Sequence, residues 1–228
     1  MNIIDIIGPV MVGPSSSHTA GAVKIGFVCR QLLREDIRAA NLKLHGSFLA
    51  TGKGHGTDKA LIAGLLGMRP DDERIPDSLQ IARARGMQYT ISGTELKNVH
   101  PNTVLLSLKG IHGKQLDAVA SSIGGGAIKI CLIDGTRVNI NADYPTLIIH
   151  NVDQPGHVSA VTSLLGNSSV NIATMQLYRD KRGETAVMVI ECDEEIPEDV
   201  FKRLNELEGV IKTTYLSLEE ANEFSISE

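Results

Sequence analysis

Residues 13–21 combine the side chains of this chain that are best suited to bind an anion. The segment reads Gly13-Pro14-Ser15-Ser16-Ser17-His18-Thr19-Ala20-Gly21. Small hydroxylated residues cap the exposed N–H groups at a helix start, and these groups bind a carboxylate or a phosphate. His18 adds a group that can donate or accept a proton near neutral pH. We therefore expect an anion site here, the alternative being an ordinary serine cap without a ligand.

A second polar segment carries another histidine that could take part in chemistry. It reads Thr51-Gly52-Lys53-Gly54-His55-Gly56-Thr57-Asp58, which we interpret as a glycine-rich loop. Small neighbours let a ligand approach His18 and His55, so both are candidates for proton transfer, although each could be a surface or capping histidine. Thr57 and Asp58 could bind a substrate or orient His55, and Asp58 could equally cap the next helix.

Apolar periodicity predicts the elements that hold these two segments. Apolar residues recur at helical spacing over residues 17–33, so a serine-capped helix is predicted to begin at the first segment. Alternation over residues 43–49 predicts a strand that leads into the glycine-rich loop, and a helix follows over residues 59–66. This order places loop residues at the end of a sheet, where ligands bind in α/β folds.

The remainder of the first half predicts further strands. They lie at residues 89–92, 103–108, 115–122, 128–133 and 137–140. The run Gly124-Gly125-Gly126 between two of them predicts a tight hairpin. Residues 141–145 break the pattern, which predicts a boundary between domains 1–141 and 146–218.

The second domain has a regular alternation of strand and helix patterns. Strands are predicted at residues 146–152, 170–178, 185–192 and 210–216, and helices over a segment opened by Gln154-Pro155-Gly156 and over residues 197–207. Proline is placed in the first turn of the former helix, and Val158, Val161 and Leu165 form its apolar face. The order βαββαβ predicts a four-stranded antiparallel sheet with two helices on one face, so the whole chain is expected to be of the α+β class.

Composition excludes several classes of function. The net charge of −5 argues against nucleic-acid binding as the main task. No apolar run reaches about 18 residues, and the N-terminus lacks a basic signal-peptide region, so we expect no membrane span and a cytoplasmic location. Cys29, Cys131 and Cys192 are scattered without a CxxC pair. We expect buried packing for all three, rather than disulfides or a metal site held by this chain alone.

Both parts of the chain resemble known families. The C-terminal part resembles an ACT domain, a small regulatory module of amino-acid metabolism, on Asn151-Val152-Asp153-Gln154-Pro155-Gly156 and Ser169-Val170-Asn171-Ile172. The first 140 residues resemble the β subunit of the bacterial iron–sulfur L-serine dehydratases on Gly13–Thr19, His45-Gly46-Ser47, Gly54-His55-Gly56-Thr57-Asp58 and Ser122-Ile123-Gly124-Gly125-Gly126. This part is also similar to the allosteric substrate-binding domain of some phosphoglycerate dehydrogenases.

The resemblance implies a fold, a reaction, a partner and a cofactor. The expected fold is a serine dehydratase β domain, similar to the allosteric substrate-binding domain, followed by a ferredoxin-like ACT domain. The reaction converts L-serine to pyruvate and ammonia. In two-chain members, a separate α subunit carries the cysteines that ligate a [4Fe–4S] cluster, and an iron free of cysteine can coordinate the substrate hydroxyl.

The resemblance also suggests roles for individual residues. His18 and His55 would be catalytic, and the substrate-binding set would be Ser15, Ser16, Ser17, Thr19, Thr57 and Asp58. In the ACT domain, an amino-acid effector would bind at Asn151, Gln154, Pro155 and Gly156, unless this helix start merely packs. ACT domains also associate with one another, so self-association is expected.

Two other interpretations differ in class. The chain could be a non-catalytic, amino-acid-sensing regulatory protein, since its three cysteines form no cluster motif and it has no nicotinamide fingerprint. A neighbouring reading frame with closely spaced cysteines would favour the enzyme. A metal hydrolase using His18, His45 and His55 is weaker, because the spacing lacks a helical histidine pair or a carboxylate ligand pattern.

Overall fold

The computed structural model of the chain describes residues 10–179 and 181–217. The chain divides into two compact units between Gly135 and Thr136. This division falls a few residues before the predicted boundary at residues 141–145. The predicted domains also include residues 1–9, 180 and 218, which lie outside the described residues. Among the residues described, no helix combines the length and the apolar character needed to cross a membrane.

Helices of the first unit begin at its polar segments. A π-helical turn, Ser16–Ala20, continues directly into α1, Gly21–Leu33. Ser15 is the N-cap, and its hydroxyl accepts a hydrogen bond of 3.1 Å from the His18 N–H. The predicted start of a serine-capped helix is therefore confirmed. The other helices are α2 (Gly46–Ala50), α3 (Gly52–His55), α4 (Thr57–Leu65) and α5 (Ser78–Ala84), with a 3-10 turn at Ile75–Asp77.

The strands of the first unit form a mixed sheet in the order β2-β1-β3-β4-β5. Their bounds are β1 (Ile37–Leu44), β2 (Gln88–Gly93), β3 (Thr103–Gly110), β4 (Gln115–Gly124) and β5 (Ala127–Ile133). β1 is parallel to β2 and antiparallel to β3, and β3, β4 and β5 follow one another antiparallel. The predicted hairpin at Gly124-Gly125-Gly126 is confirmed, and all three glycines have positive φ. Helix α1 packs against β4 and β5.

Helices α1 and α4 cross at two glycines. A Cβ atom on Gly26 would lie 2.3 Å from the Leu61 carbonyl oxygen, and one on Gly64 would lie 2.1 Å from the Val23 carbonyl oxygen. Both distances are far shorter than any real contact of a Cβ atom, so only glycine allows the backbones to approach this closely. The crossing fixes the two helix starts, which carry the two predicted polar segments.

The predicted strand at residues 43–49 is wrong in its second half. β1 ends at Leu44, and helix α2 follows. Gly46 takes a φ of +54°, which turns the chain, and the Ser47 N–H bonds the carbonyl of Pro101 instead of a neighbouring strand. Phe48 is buried through helical rather than strand geometry. Over a run this short, a residue four positions after Leu44 satisfies both periodicities.

The predicted glycine-rich loop at residues 51–58 is also wrong, because most of it is helical. Helix α3 ends at His55, Gly56 reverses the chain with a φ of +69°, and α4 begins immediately at Thr57. The N-cap position is thus Gly56, so Asp58 is not the cap of this helix. Asp58 lies in the first turn, and its carboxylate accepts a hydrogen bond of 2.8 Å from the Lys59 N–H.

The second unit contains the predicted βαββαβ order. After β6 (Thr136–Ile140) come β7 (Thr146–Val152), α6 (His157–Asn167), β8 (Ile172–Arg179), β9 (Thr185–Cys192), α7 (Glu198–Glu206) and β10 (Val210–Leu216). β10, β7, β9 and β8 form a four-stranded antiparallel sheet in that order. Buried side chains of β7, β9, α6 and α7 share one core, so both helices cover the same face. The predicted α+β class with a ferredoxin-like second domain is confirmed.

Helix α6 starts later than its sequence indicates. Gly156, with a φ of +102°, is the N-cap, so Pro155 precedes the helix and is not in its first turn. The predicted apolar face is also narrower. Val161 and Leu165 are fully buried, whereas Val158 is 38% exposed.

The cysteines differ in their surroundings. Cys29 and Cys192 are buried as predicted, and burial raises the pKa of each thiol to about 12. Cys131 lies on β5 and is only half-buried, so the prediction of buried packing is wrong for this residue. The sheet face to which its side chain belongs is incompletely covered.

Candidate functional site

The two helix starts of the first unit bring His18 and His55 together. Their ring centroids lie 5.0 Å apart with the planes tilted by 47°. His18 belongs to the π-helical turn, and His55 is the last residue of α3. The Thr19 hydroxyl reaches the His55 carbonyl oxygen at 3.5 Å and connects the two segments. A π-helical turn within an α-helix is frequent at functional sites.

Two further hydroxyls surround His18. The Nε2 atom lies 3.1 Å from the Ser47 hydroxyl and 3.1 Å from the Thr51 hydroxyl. Sequence reasoning misses both residues as site members because it places Ser47 in a strand over residues 43–49 and Thr51 in a loop over residues 51–58. The spacing of four between Ser47 and Thr51 was the available signal, since residues i and i+4 share a helix face.

Burial is the main electrostatic influence on His18. It lowers the pKa of the imidazole below its usual value, a backbone hydrogen bond with Ser47 acts in the opposite direction, and the neighbouring His55 lowers it further. Phe48 contributes apolar surface, with its ring packed edge-on 5.4 Å from the His18 ring. A histidine whose pKa is lowered in this way is neutral at pH 7 and can accept a proton.

Three buried polar atoms near the starts of α1 and α4 lack a hydrogen-bond partner among the described residues. They are His55 Nδ1, Thr57 Oγ1 and Ser122 Oγ. Thr57 and Ser122 are completely buried. The Ser122 hydroxyl lies against the start of α1, where a Cβ atom on Gly21 would come within 2.1 Å of it. Buried polar atoms are rarely left unpaired, so these atoms indicate a place for a water molecule or a ligand.

The predicted substrate-binding residues occupy different environments. Ser15 caps the helix and lies 3.5 Å from His18 Nδ1 through its hydroxyl. Ser16 and Ser17 are half-buried in the π-helical turn, and their hydroxyls have no partner within the described part of the chain. Thr19 is 2% exposed and packs under Gly13. The carboxylate of Asp58 bonds the Lys59 main chain rather than His55.

The predicted effector residues of the second unit extend from the end of β7 to the start of α6. Asn151 is 2% exposed, and its Nδ2 donates to the Val152 carbonyl oxygen at 2.7 Å. Its Oδ1 is buried without a partner among the described residues. Gln154, Pro155 and Gly156 are exposed.

Asp153 holds this turn in place and was missed by sequence reasoning. Its carboxylate accepts hydrogen bonds from the Gly183 N–H at 2.8 Å and from the Arg179 guanidinium at 3.2 Å. These hydrogen bonds, with that of Gly183 the largest influence, lower the pKa of the carboxyl group. The turn is therefore tied to the β8–β9 connection.

The cysteines of this chain do not fit an iron–sulfur cluster. Two lie in the cores of different units and the third lies on β5. Within residues 10–179 and 181–217, no three side chains of His, Cys, Asp or Glu are arranged to hold a metal ion.

Comparison with known proteins identifies both parts of the chain. Residues 2–95 match the family model described as serine dehydratase beta chain, and residues 145–209 match the ACT domain. The chain is 37% identical over 215 residues to the L-serine dehydratase, beta chain, of Peptoniphilus asaccharolyticus, which covers 94% of this chain and 97% of that protein. It is 38% identical over 216 residues to the probable L-serine dehydratase, beta chain, of Bacillus subtilis, which covers 95% and 98%.

A more distant similarity agrees with the second resemblance seen in the sequence. The D-3-phosphoglycerate dehydrogenase of Bacillus subtilis is 24% identical over 201 residues, which are 86% of this chain but only 37% of that protein. The two β chains match over nearly their whole length at higher identity. This chain therefore belongs to the family of L-serine dehydratase β chains and carries an ACT domain in its C-terminal part.

Proposed function

We propose that this chain is the β subunit of an iron–sulfur L-serine dehydratase and acts in the cytoplasm with a separate α subunit. Together the two subunits convert L-serine to pyruvate and ammonia. The observation that carries the proposal is the pair of histidines from distant segments, 5.0 Å apart, at a serine-capped helix start. Membership of the β-chain family supports the choice of substrate.

The serine turn binds the substrate carboxylate. The first N–H groups of a helix have no partner within the helix, and the helix dipole adds roughly 0.3–1 kcal/mol for a negative charge at a surface site. Ser16 and Ser17 offer hydroxyls beside these groups, and Ser15 presents its hydroxyl to His18. Thr19 keeps this turn against His55. The carboxylate is thereby fixed next to the two imidazoles.

The histidines handle the proton that leaves the substrate Cα. His18 is neutral at pH 7 because burial lowers its pKa, and His55 has a buried Nδ1 that lacks a partner in the described residues. A positioned base contributes about 10²–10⁴ in rate. Thr57, with its buried hydroxyl, and Asp58 complete the substrate-binding set at the start of α4.

The leaving hydroxide requires a Lewis acid, which this chain's described residues do not provide. We place a [4Fe–4S] cluster on cysteines of the α subunit, where its iron would supply this Lewis acid. This chain binds the substrate carboxylate and supplies the proton-accepting groups. The aminoacrylate left after the loss of water hydrolyses to pyruvate and ammonia.

The turn at residues 151–156 is proposed to bind an amino-acid effector, with serine as the first candidate, and ACT units are proposed to self-associate. The Asn151 Oδ1, buried and without a partner in the described part of the chain, supports this proposal, because the ammonium group of an amino acid would donate to it. Regulation requires that the effector bind two states of the assembly unequally.

The proposed reaction is tested by purifying this chain with and without its α partner under anaerobic conditions. We expect the pair to release pyruvate from L-serine and the single chain to release none. Pyruvate formation by the single chain would overturn the division of labour. An inactive pair whose β chain still binds L-serine would instead support a non-catalytic amino-acid sensor.

A further inference from the structure

We propose that Thr51 is a positioning residue that holds His18 in the tautomer protonated at Nε2, so that Nδ1 is the nitrogen offered to a ligand. The consequence for catalysis rests on the function proposed above for His18. The tautomer itself is a property of this chain and can be measured without any activity.

The argument starts from the single proton of the Thr51 hydroxyl. Its oxygen lies 2.9 Å from the Ser47 carbonyl oxygen and 3.1 Å from His18 Nε2. Each of these short contacts needs a proton between its two heavy atoms. A carbonyl can only accept, so the threonine proton serves the contact with Ser47. The proton in the other contact must therefore come from the imidazole.

The Ser47 hydroxyl is compatible with the same assignment. It lies 3.1 Å from Nε2 and 3.4 Å from the Thr51 hydroxyl, so it accepts the same Nε2–H as Thr51 in a three-centre hydrogen bond. In the opposite tautomer, the Nε2 lone pair would face a Thr51 oxygen whose proton is already committed. Thr51 therefore discriminates between the tautomers, whereas Ser47 tolerates both.

The other ring nitrogen then carries the free lone pair. Nδ1 lies 3.5 Å from the Ser15 hydroxyl, at the limit of hydrogen bonding, so it is only weakly engaged. Ser15 accepts the His18 N–H at 3.1 Å and belongs to the turn proposed to bind the carboxylate. A ligand held by this turn meets the acceptor nitrogen of His18.

Nitrogen NMR on the full-length chain tests the tautomer directly, because protonated and unprotonated ring nitrogens have well-separated chemical shifts. We expect His18 Nε2 to carry the proton near pH 8. The variant Thr51→Ser keeps the hydroxyl and should keep this signature, while Thr51→Val should lose the preference. Protonation at Nδ1 in the unchanged chain, or an unchanged signature in Thr51→Val, would overturn the proposal.

Thr162→Val is the matched control. Thr162 is a half-buried residue of α6, and its hydroxyl bonds the carbonyl of Val158 four residues earlier at 3.0 Å, as the Thr51 hydroxyl bonds that of Ser47, but its described hydrogen bonds involve no histidine. The same hydroxyl-to-methyl change there should leave the His18 signals in place. Movement of those signals in the control would mean that the probe reports general destabilisation, which would remove the support for Thr51.

Kinetics with the α partner then separate the two proposals. We expect Thr51→Val to lower kcat about tenfold, less than the 10²–10⁴ lost with the base itself, and Thr51→Ser to restore most of it. Nε2 protonation with no serine dehydratase activity would sink the proposed function and leave the tautomer standing. Serine dehydratase activity together with protonation at Nδ1 would overturn the proposed tautomer and leave the proposed function standing.

Discussion

The two units start a helix at their candidate sites with the same backbone device but surround it differently. A glycine with positive φ precedes α4 in the first unit and α6 in the second: Gly56 at +69° and Gly156 at +102°. Around the first start, His18, Ser47 and His55 come from separate segments, and His18 contacts both of the others. Around the second, Asp153 ties the turn to the β8–β9 connection, but Gln154 and Pro155 are exposed. A helix start by itself therefore provides only a turn. It becomes a preorganised site when side chains from other segments pack around it.

The packing of the helices themselves explains the difference. Helices α1 and α4 approach to backbone contact at Gly26 and Gly64, so side chains at their starts have little freedom to separate. Helix α6 has a glycine too, but a Cβ atom on Gly166 would meet nothing within 4 Å. A reaction that depends on orientation gains from the first arrangement. The open surroundings of α6 instead suit a turn that must change when an effector binds.

The largest expected effect comes from removing a member of the histidine cluster. His55→Ala should lower kcat with the α partner by about 10²–10⁴, because a positioned proton acceptor is lost. Pyruvate release from L-serine measures this. His112→Ala, at an exposed histidine of the β3–β4 connection, is the control and should stay near full activity. Full activity of His55→Ala would remove His55 from the chemistry.

A methyl group at the helix crossing tests whether packing preorganises the first site. In Gly64→Ala, the new Cβ would press on the Val23 carbonyl and the Phe27 N–H, so we expect a loss of about 1–3 kcal/mol in the free energy of unfolding. Activity should fall with it. Urea denaturation and the pyruvate assay measure the two effects.

The matched substitution in the second unit is Gly166→Ala. Because the space there is open, replacing a helical glycine should stabilise the protein by roughly 0.5–1 kcal/mol and leave activity unchanged. Equal responses of the two glycine variants would contradict the claimed difference in helix packing between the units.

Much of the fold could be predicted from the sequence, since long periodic segments define it. The strands at residues 185–192 and 210–216 were predicted with their observed bounds. Residues 46–55 could not be assigned correctly from the sequence. Gly46 turns the chain out of the strand, and the Ser47 N–H then bonds the carbonyl of the distant Pro101. No local pattern reveals that partner.

The candidate site was predictable in its histidines but not in their surroundings. His18 and His55 stand out in the sequence because each lies among small residues, where a ligand can approach. Ser47 and Thr51 did not, since their role depends on an imidazole that reaches them from about thirty residues away in sequence. The resemblance to ACT domains suggests Asn151, but only the structure reveals that its Oδ1 is buried and has no partner among the described residues.

Replacing Asn151 tests whether this residue serves the stability of the second unit or the binding of an effector. We expect Asn151→Leu to leave the free energy of unfolding within about 1 kcal/mol of its original value, because it removes an unpaired buried oxygen. The Val152 carbonyl keeps the Gln154 N–H as a donor at 2.9 Å. Effector binding, followed by calorimetry with L-serine on the full chain, should weaken.

Thr103→Val provides the contrast from the first unit. The Thr103 hydroxyl is completely buried and paired with the Ser121 hydroxyl at 2.7 Å. Its removal should cost about 1–3 kcal/mol, since a buried partner is left unsatisfied. A cost of that size for Asn151→Leu would mean that Asn151 is a structural residue and not an effector ligand.

The smallest expected effect is a pH dependence of stability that arises from His18. Burial holds the pKa of the folded imidazole below the usual 6.5, so the unfolded chain takes up a proton first as the pH falls. This residue's contribution to stability is therefore complete above pH 6.5 and is lost as the pH falls through the folded pKa.

His18→Gln lacks this contribution. The unfolding free energy of the variant relative to the original should thus rise on acidification below about pH 6.5, while the histidines that do not interact with His18 cancel in the difference. Urea titrations of both proteins at several pH values measure it. A difference that falls on acidification would mean that the Ser47 hydrogen bond outweighs burial, and His18 would then enter the site as a cation and not as a proton acceptor.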